Sequence, residues 1–226
     1  MRILAVDTTT SSGSAALLED RRLVGETGGE SGTTHSARLL GAVDRLLRSE
    51  GLAVADIDAF AVAAGPGSFT GIRIGLSTVK ALAFASGKPV VPVSSLRALA
   101  LKLALTGAEL ACPVLDAKKG EVYAALFENA GGGLVELIPQ GAYDPDDFFS
   151  RLPGGRAISF IGAGSAVYRD RIPASVLGSA AFPARTLFIA HEVGLLGFEG
   201  LEAGKGVSAE GVAPLYFRRS QAEEKH

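Results

Sequence analysis

The sequence predicts a mixed α/β protein of two lobes joined near residue 106. Short apolar, strand-like runs open each half of the chain, and amphipathic helical segments follow them. The length of 226 residues suits one large domain or two small lobes, at roughly 100 to 200 residues per domain. Hydrophobic residues make up 47% and charged residues 20%, with a mean hydropathy of +0.29. That balance is too apolar for a disordered chain. Lysine and arginine number 22 against 24 acidic residues, a net charge of −2, so no overall positive field exists to hold a phosphate backbone. If nucleic acid is involved, another component does most of the gripping. The single cysteine, Cys112, forms no internal disulfide and no thiolate zinc cage, which fits a reducing compartment. No apolar run approaches membrane-spanning or signal-peptide length, so a soluble cytoplasmic protein is expected.

Residues 2–6, 13–18 and 22–27 read as a three-stranded meander with the loop DTTTSSG at its mouth. Residues 35–50 place Leu39, Leu40, Val43, Leu46 and Leu47 at helical spacing, and Gly51 stops that helix. A buried strand follows over 58–64, then the loop GPGS, a long helix over 69–86 ending at Gly87, a strand over 90–93 and a helix over 95–105. The second half restarts with strands over 111–115 and 121–127 around the turn DAKKG, and a third over 134–138 after three glycines. A helix over 144–152 capped by Asp144, a strand over 157–161 and a helix over 186–198 complete it. The step from Gly162 to Gly164 reads as a tight turn, and the tail after Gln221 as polar and frayed.

Two segments could carry chemistry. In GPGSFTGIRIG a Gly-Pro-Gly turn between strand and helix could offer an anion its free N–H groups and the hydroxyls of Ser68 and Thr70. The glycines Gly65, Gly67 and Gly71 could equally serve only close packing. The spacing is neither a Rossmann nor a Walker fingerprint, because Thr70 and Ile72 stand where those need glycine and lysine. Asp7 ends the first strand ahead of Thr8 and Thr9, where magnesium-nucleotide sites often begin; a turn closed by the carboxylate and hydroxyls is the alternative. The three histidines, His35, His191 and His226, lack metal-ligand spacing, no GxSxG elbow exists, and Cys112 lies in an apolar strand. Asp116, Lys118, Lys119, Glu121 and Tyr123 surround one turn of the second lobe and read as a solvated tip.

The long helix carries the strongest physical signal. At about 100° per residue, Ile72, Leu76, Val79 and Ala83 form one apolar stripe. Ile74, Thr78, Ala81, Leu82 and Ala85 form a second on the opposite side, with Arg73 and Lys80 on the border. One stripe lies on the sheet; the other is covered by the first helix or by another chain.

ILAVDTTTSSGSAAL, HSARLL, GPGSFTGIRIG, VSSL, LDAKKGEVYAALF and PLYFRR together resemble, in order, the TsaB (YeaZ) family, over nearly the whole chain. Thr9 and Lys118 depart slightly from the serine and arginine common there. The resemblance implies the two-lobed actin, Hsp70 and sugar-kinase type of α/β fold (ASKHA), with RNase H-like lobes at 1–105 and 106–226. It implies a non-catalytic, cofactor-free subunit that binds TsaD and supports threonylcarbamoyl transfer to the adenosine beside the anticodon in tRNAs reading codons that begin with A. TsaE, a P-loop ATPase, joins the pair, TsaC makes the donor, and tRNA is met through the complex. The first two helices are expected to form the interface, with TsaD or in a homodimer, through Arg73, Ile74, Thr78, Lys80, Ala81, Leu82 and Ala85. The family is often labelled glycoprotease-like, and nothing in these residues supports proteolysis. A small ATPase or kinase using Asp7 and the GPGSFTG loop is the competing expectation.

Overall fold

The computed structural model describes residues 1–10, 13–29, 35–131 and 133–217. Ser11, Ser12, Gly132 and the polar tail after Gln221, all read above from sequence, lie outside the described residues. The chain divides into two compact units, Met1–Ser95 with Phe188–Tyr216, and Leu96–Leu187 with Phe217–His226.

The first unit opens with β1 (Arg2–Asp7), β2 (Gly13–Glu19) and β3 (Arg22–Gly29), an antiparallel meander, followed by helix α1 (His35–Ser49). Strand β4 (Ala59–Gly65) then pairs parallel with β1, helix α2 (Phe69–Ser86) crosses over, and β5 (Val90–Ser94) pairs parallel with β4. The strand order is β3-β2-β1-β4-β5. Every residue of β4 is buried, as expected of a central strand covered on both faces. Leu4, Val6, Leu17, Phe60 and Val62 form one core with Leu39, Val43, Leu46 and Leu47 of α1 and Ile72, Leu76, Val79 and Ala83 of α2. Helix α2 is capped at its start by Ser68, whose Oγ accepts from the Gly71 N–H, and at its end by Gly87 in the left-handed region (φ 67°).

The second unit takes up α3 (Ser95–Ala104) from Leu96 onward and repeats the sheet plan. Strands β6 (Leu110–Lys118), β7 (Glu121–Asn129) and β8 (Leu134–Tyr143) form its meander, followed by α4 (Pro145–Ser150). Strand β9 (Ile158–Ile161) pairs parallel with β6, and after the short helices α5 (Ala163–Val167) and α6 (Ala174–Leu177) β10 (Ala180–Ala181) pairs parallel with β9. The order β10-β9-β6-β7-β8 is the first sheet's plan again. Its core gathers Leu110, Val114, Leu126, Phe148, Phe149 and Phe160.

Three expectations need correction. The division is not the contiguous 1–105 and 106–226, because the last helix, α7 (Ala190–Glu202), returns to the first sheet. Gly194, Gly197 and Gly200 give α7 a side-chain-free edge on which Leu18, Ala61 and Val91 of the sheet sit. That helix also begins at Ala190 and not at residue 186; the Ala190 N–H donates to Ser14 Oγ at 3.1 Å, a partner 176 residues away. The Gly162 to Gly164 step is the start of α5 rather than a free turn.

Phe60 is fully buried in the first core. Phe60→Ala is expected to lower the stability of the chain by about 3–5 kcal/mol, measured by urea unfolding.

Candidate functional site

The end of β1 and the start of α2 meet at one junction, and their sequences explain how. Asp7 is fully buried, and its Oδ1 accepts from both the Thr9 N–H (2.8 Å) and the Thr9 hydroxyl (2.6 Å). This is the closed carboxylate and hydroxyl turn. The other oxygen, Oδ2, is buried with no hydrogen-bond partner among the described residues. Burial pushes the Asp7 carboxyl up to about 6, against the two bonds from Thr9 that favour its charged form.

Thr8 and Thr9 carry the turn onto the GPGS loop. The Thr8 hydroxyl donates to the Gly71 carbonyl (2.7 Å), and the Ser68 N–H donates to the Thr9 carbonyl (2.7 Å). A Cβ at Gly67 would overlap Thr9 O and one at Gly71 would overlap Thr8 O, so both positions require glycine for close backbone approach. Gly65, at φ 122°, faces the carbonyl of Leu215, while the Leu215 N–H donates to Ala64 O at 2.8 Å. The structure thus brings Asp7, Thr8 and Thr9 together with Gly65, Gly67, Ser68 and Gly71, and uses several of their donors on one another. Thr70 is exposed on the first turn of α2.

The second stripe of α2 divides in two. Ile74 and Leu82 are half-buried against the core that α1 shares, and Thr78 is buried. Ala81 and Ala85 are exposed, and Phe84 between them is 75% exposed. Cover by the first helix therefore reaches one side of the stripe and leaves the other open. Lys80 is half-buried. Arg73 turns toward the helix start, its guanidinium 3.9 Å over the Phe69 ring. Phe69 also stacks with Tyr216, ring centroids 5.6 Å apart. Sequence reasoning missed Phe84, which fell in neither stripe, and the Phe69–Tyr216 pair, whose partners lie far apart in the chain.

In the second unit the hairpin tip behaves as a solvated turn. Lys118 and Lys119 adopt positive φ, and Asp116 accepts from the Lys118 N–H (2.8 Å) and from its ammonium (2.7 Å). Partial burial raises the Asp116 carboxyl, but the bonds from Lys118 outweigh it and hold the group below its ordinary range. Among the described residues no group of three or more His, Cys, Asp or Glu could hold a metal ion, and no helix is long and apolar enough to cross a membrane.

Two sheets of one strand order define a two-lobed α/β protein of the actin, Hsp70 and sugar-kinase type, each lobe RNase H-like. Component A of (R)-2-hydroxyglutaryl-CoA dehydratase from Acidaminococcus fermentans shares that fold: TM-score 0.53 at 9% identity, over 89% of this chain and 99% of that one. A YeaZ structure from Pseudomonas aeruginosa superposes with a TM-score of 0.83 at 31% identity, over 95% of this chain and 99% of that one. The tRNA threonylcarbamoyladenosine biosynthesis protein TsaB of Bacillus subtilis is 32% identical over 226 residues, covering 100% of this chain and 97% of the relative. The family described as TsaD, tRNA N6-adenosine threonylcarbamoyltransferase, matches residues 22–226. The chain belongs to the TsaB (YeaZ) family.

The raised Asp7 carboxyl has a consequence for stability. Its contribution is complete below about pH 3.8, where both states are protonated, and is lost as pH rises through about 6. Asp7→Asn removes that titration. Between about pH 4 and pH 7 the stability difference is expected to move in favour of the variant by about 2.4 kcal/mol, read by urea unfolding across pH. A difference that stays flat over that range would contradict the assignment.

Proposed function

We propose that this chain is the non-catalytic partner subunit of a TsaD-type transferase in tRNA threonylcarbamoyladenosine biosynthesis, acting in the cytoplasm. The observation that carries the reading is the open side of α2, where Phe84 stands 75% exposed among Ala81 and Ala85. An aromatic flanked by small residues fits a helix-on-helix contact, since the alanines let a second helix approach while the ring fills its groove. In the free chain the same patch suits a second copy. A supporting role agrees with the junction of β1 and α2, where Asp7 is tied to Thr9 and the loop glycines are filled by backbone. The net charge of −2 suits a subunit that meets tRNA within a complex whose main basic surface lies elsewhere. TsaE, as the ATPase, and TsaC, as the source of the donor, complete the proposed setting.

Ala81→Glu and Phe84→Glu place a charge in that patch without touching the core. Each is expected to weaken association with TsaD by about 30-fold or more and to abolish tRNA modification in a reconstituted assay, with unfolding unchanged. Modification at the wild-type level would overturn the proposal. Steady-state ATP turnover by the isolated chain, lost in Asp7→Asn, would overturn its non-catalytic part.

A further inference from the structure

At the opposite end of α2 from Phe84 lies a feature that the helix-on-helix contact does not use. Phe69 is the first residue of α2 and is 38% exposed; Tyr216, on the segment that follows α7, is 43% exposed. The two rings stack at 5.6 Å with an interplanar angle of 26°, and the exposed Arg73 lies 3.9 Å over the Phe69 centroid. The segment is held in place from below, because the Leu215 N–H donates to Ala64 O and the Leu215 carbonyl packs against Gly65. This is a preorganised platform on the surface. Its rings are already ordered, so a ligand stacking there would lose little side-chain entropy.

The charge at the platform decides what it fits. Arg73 makes no ion pair among the described residues, so its positive charge is not neutralised by any described carboxylate. A guanidinium stacked on a ring keeps its in-plane N–H donors free, in a fork that matches phosphate oxygens. Arg73 and Tyr216 cover opposite faces of Phe69, so the face left for stacking is the outer one of Tyr216. An exposed aromatic face on the same stack as an unneutralised arginine is a combination that single-stranded nucleic acid uses, with a base on the ring and a backbone phosphate on the cation. A protein partner would be expected to bring a carboxylate and an apolar anchor, and the open apolar anchor of this helix is at Phe84, fifteen residues and about 22 Å farther along its axis.

We infer that Arg73, Phe69 and Tyr216 form a stacking site for an unpaired nucleotide of the tRNA that the complex modifies. The inference rests on the proposed role in tRNA modification and adds to it a direct RNA contact by this subunit. It also moves Arg73 from the expected protein interface to the RNA-facing end of the helix.

The chain contains no tryptophan, so Tyr216→Trp places a lone indole reporter on the platform. In the complex with TsaD, a tRNA reading an A-starting codon is expected to quench that reporter. Tyr216→Ala and Arg73→Ala are each expected to weaken tRNA binding by the complex by about 5- to 100-fold, with Tyr216→Phe retaining the wild-type affinity. Association with TsaD measured without tRNA is expected to be unchanged in all of these variants. Unaltered tRNA affinity in Tyr216→Ala and Arg73→Ala would overturn the inference, as would equal quenching by tripolyphosphate, which has no base to stack. Loss of TsaD association with tRNA affinity preserved would assign the platform to a protein contact instead. Because the association readout of the Phe84→Glu experiment is taken without tRNA, failure of the partner-subunit reading would be visible there, separately from the outcome at Tyr216.

Discussion

The close approach of two backbones, at Thr8 and Thr9 on one side and Gly67 to Gly71 on the other, underlies the organisation of the first unit. A backbone oxygen cannot rotate away from a neighbour as a side chain can, so the end of β1 meets the start of α2 in one register only. That register decides which residues of α2 lie on the sheet. With Ile72, Leu76, Val79 and Ala83 turned inward, helical geometry leaves Ala81, Phe84 and Ala85 outward and sets Phe69 at the edge where Tyr216 reaches it. The glycines that look like a phosphate loop in the sequence therefore act here by shaping the helix that follows.

Much of this was legible from pattern, and the exceptions share a cause. Period-2 and period-3.6 spacing located every long strand and helix, including the bounds of α2 at Phe69–Ser86, because its caps Ser68 and Gly87 are local. The start of α7 was misread because its first N–H is met by Ser14, which no local window contains. The division of the chain was misread for the same reason: Gly194, Gly197 and Gly200 gain meaning only against Leu18, Ala61 and Val91. At the site, both loops were recognised, but the bonds from Thr8 to Gly71 and from Ser68 to Thr9 join segments about sixty residues apart in sequence and leave no trace in either. The two stripes of α2 were visible as periodicity. How far α1 covers the second was not, since that depends on packing between helices.

The two units repeat one sheet plan yet treat the carboxylate near the end of their first strand in opposite ways. Asp7 is sealed from water and its carboxyl is pushed up, while Asp116 is only partly buried and is held down by Lys118. Strand order alone therefore does not carry the electrostatics; depth of burial does, since the bonds from Thr9 and from Lys118 both favour the charged form and only at Asp7 does desolvation outweigh them.

The return of α7 has a consequence for how the chain is made. Strands β1 to β5 are complete by Ser94, yet Leu18, Ala61 and Val91 on one face of their sheet pack against a helix that begins at Ala190. During synthesis nearly a hundred residues, including the whole second sheet, emerge from the ribosome before the helix that packs on that face. The second unit is in this sense an insertion between a sheet and its own lid, and the face that carries Leu18, Ala61 and Val91 gains that lid only after the whole second sheet has been synthesised.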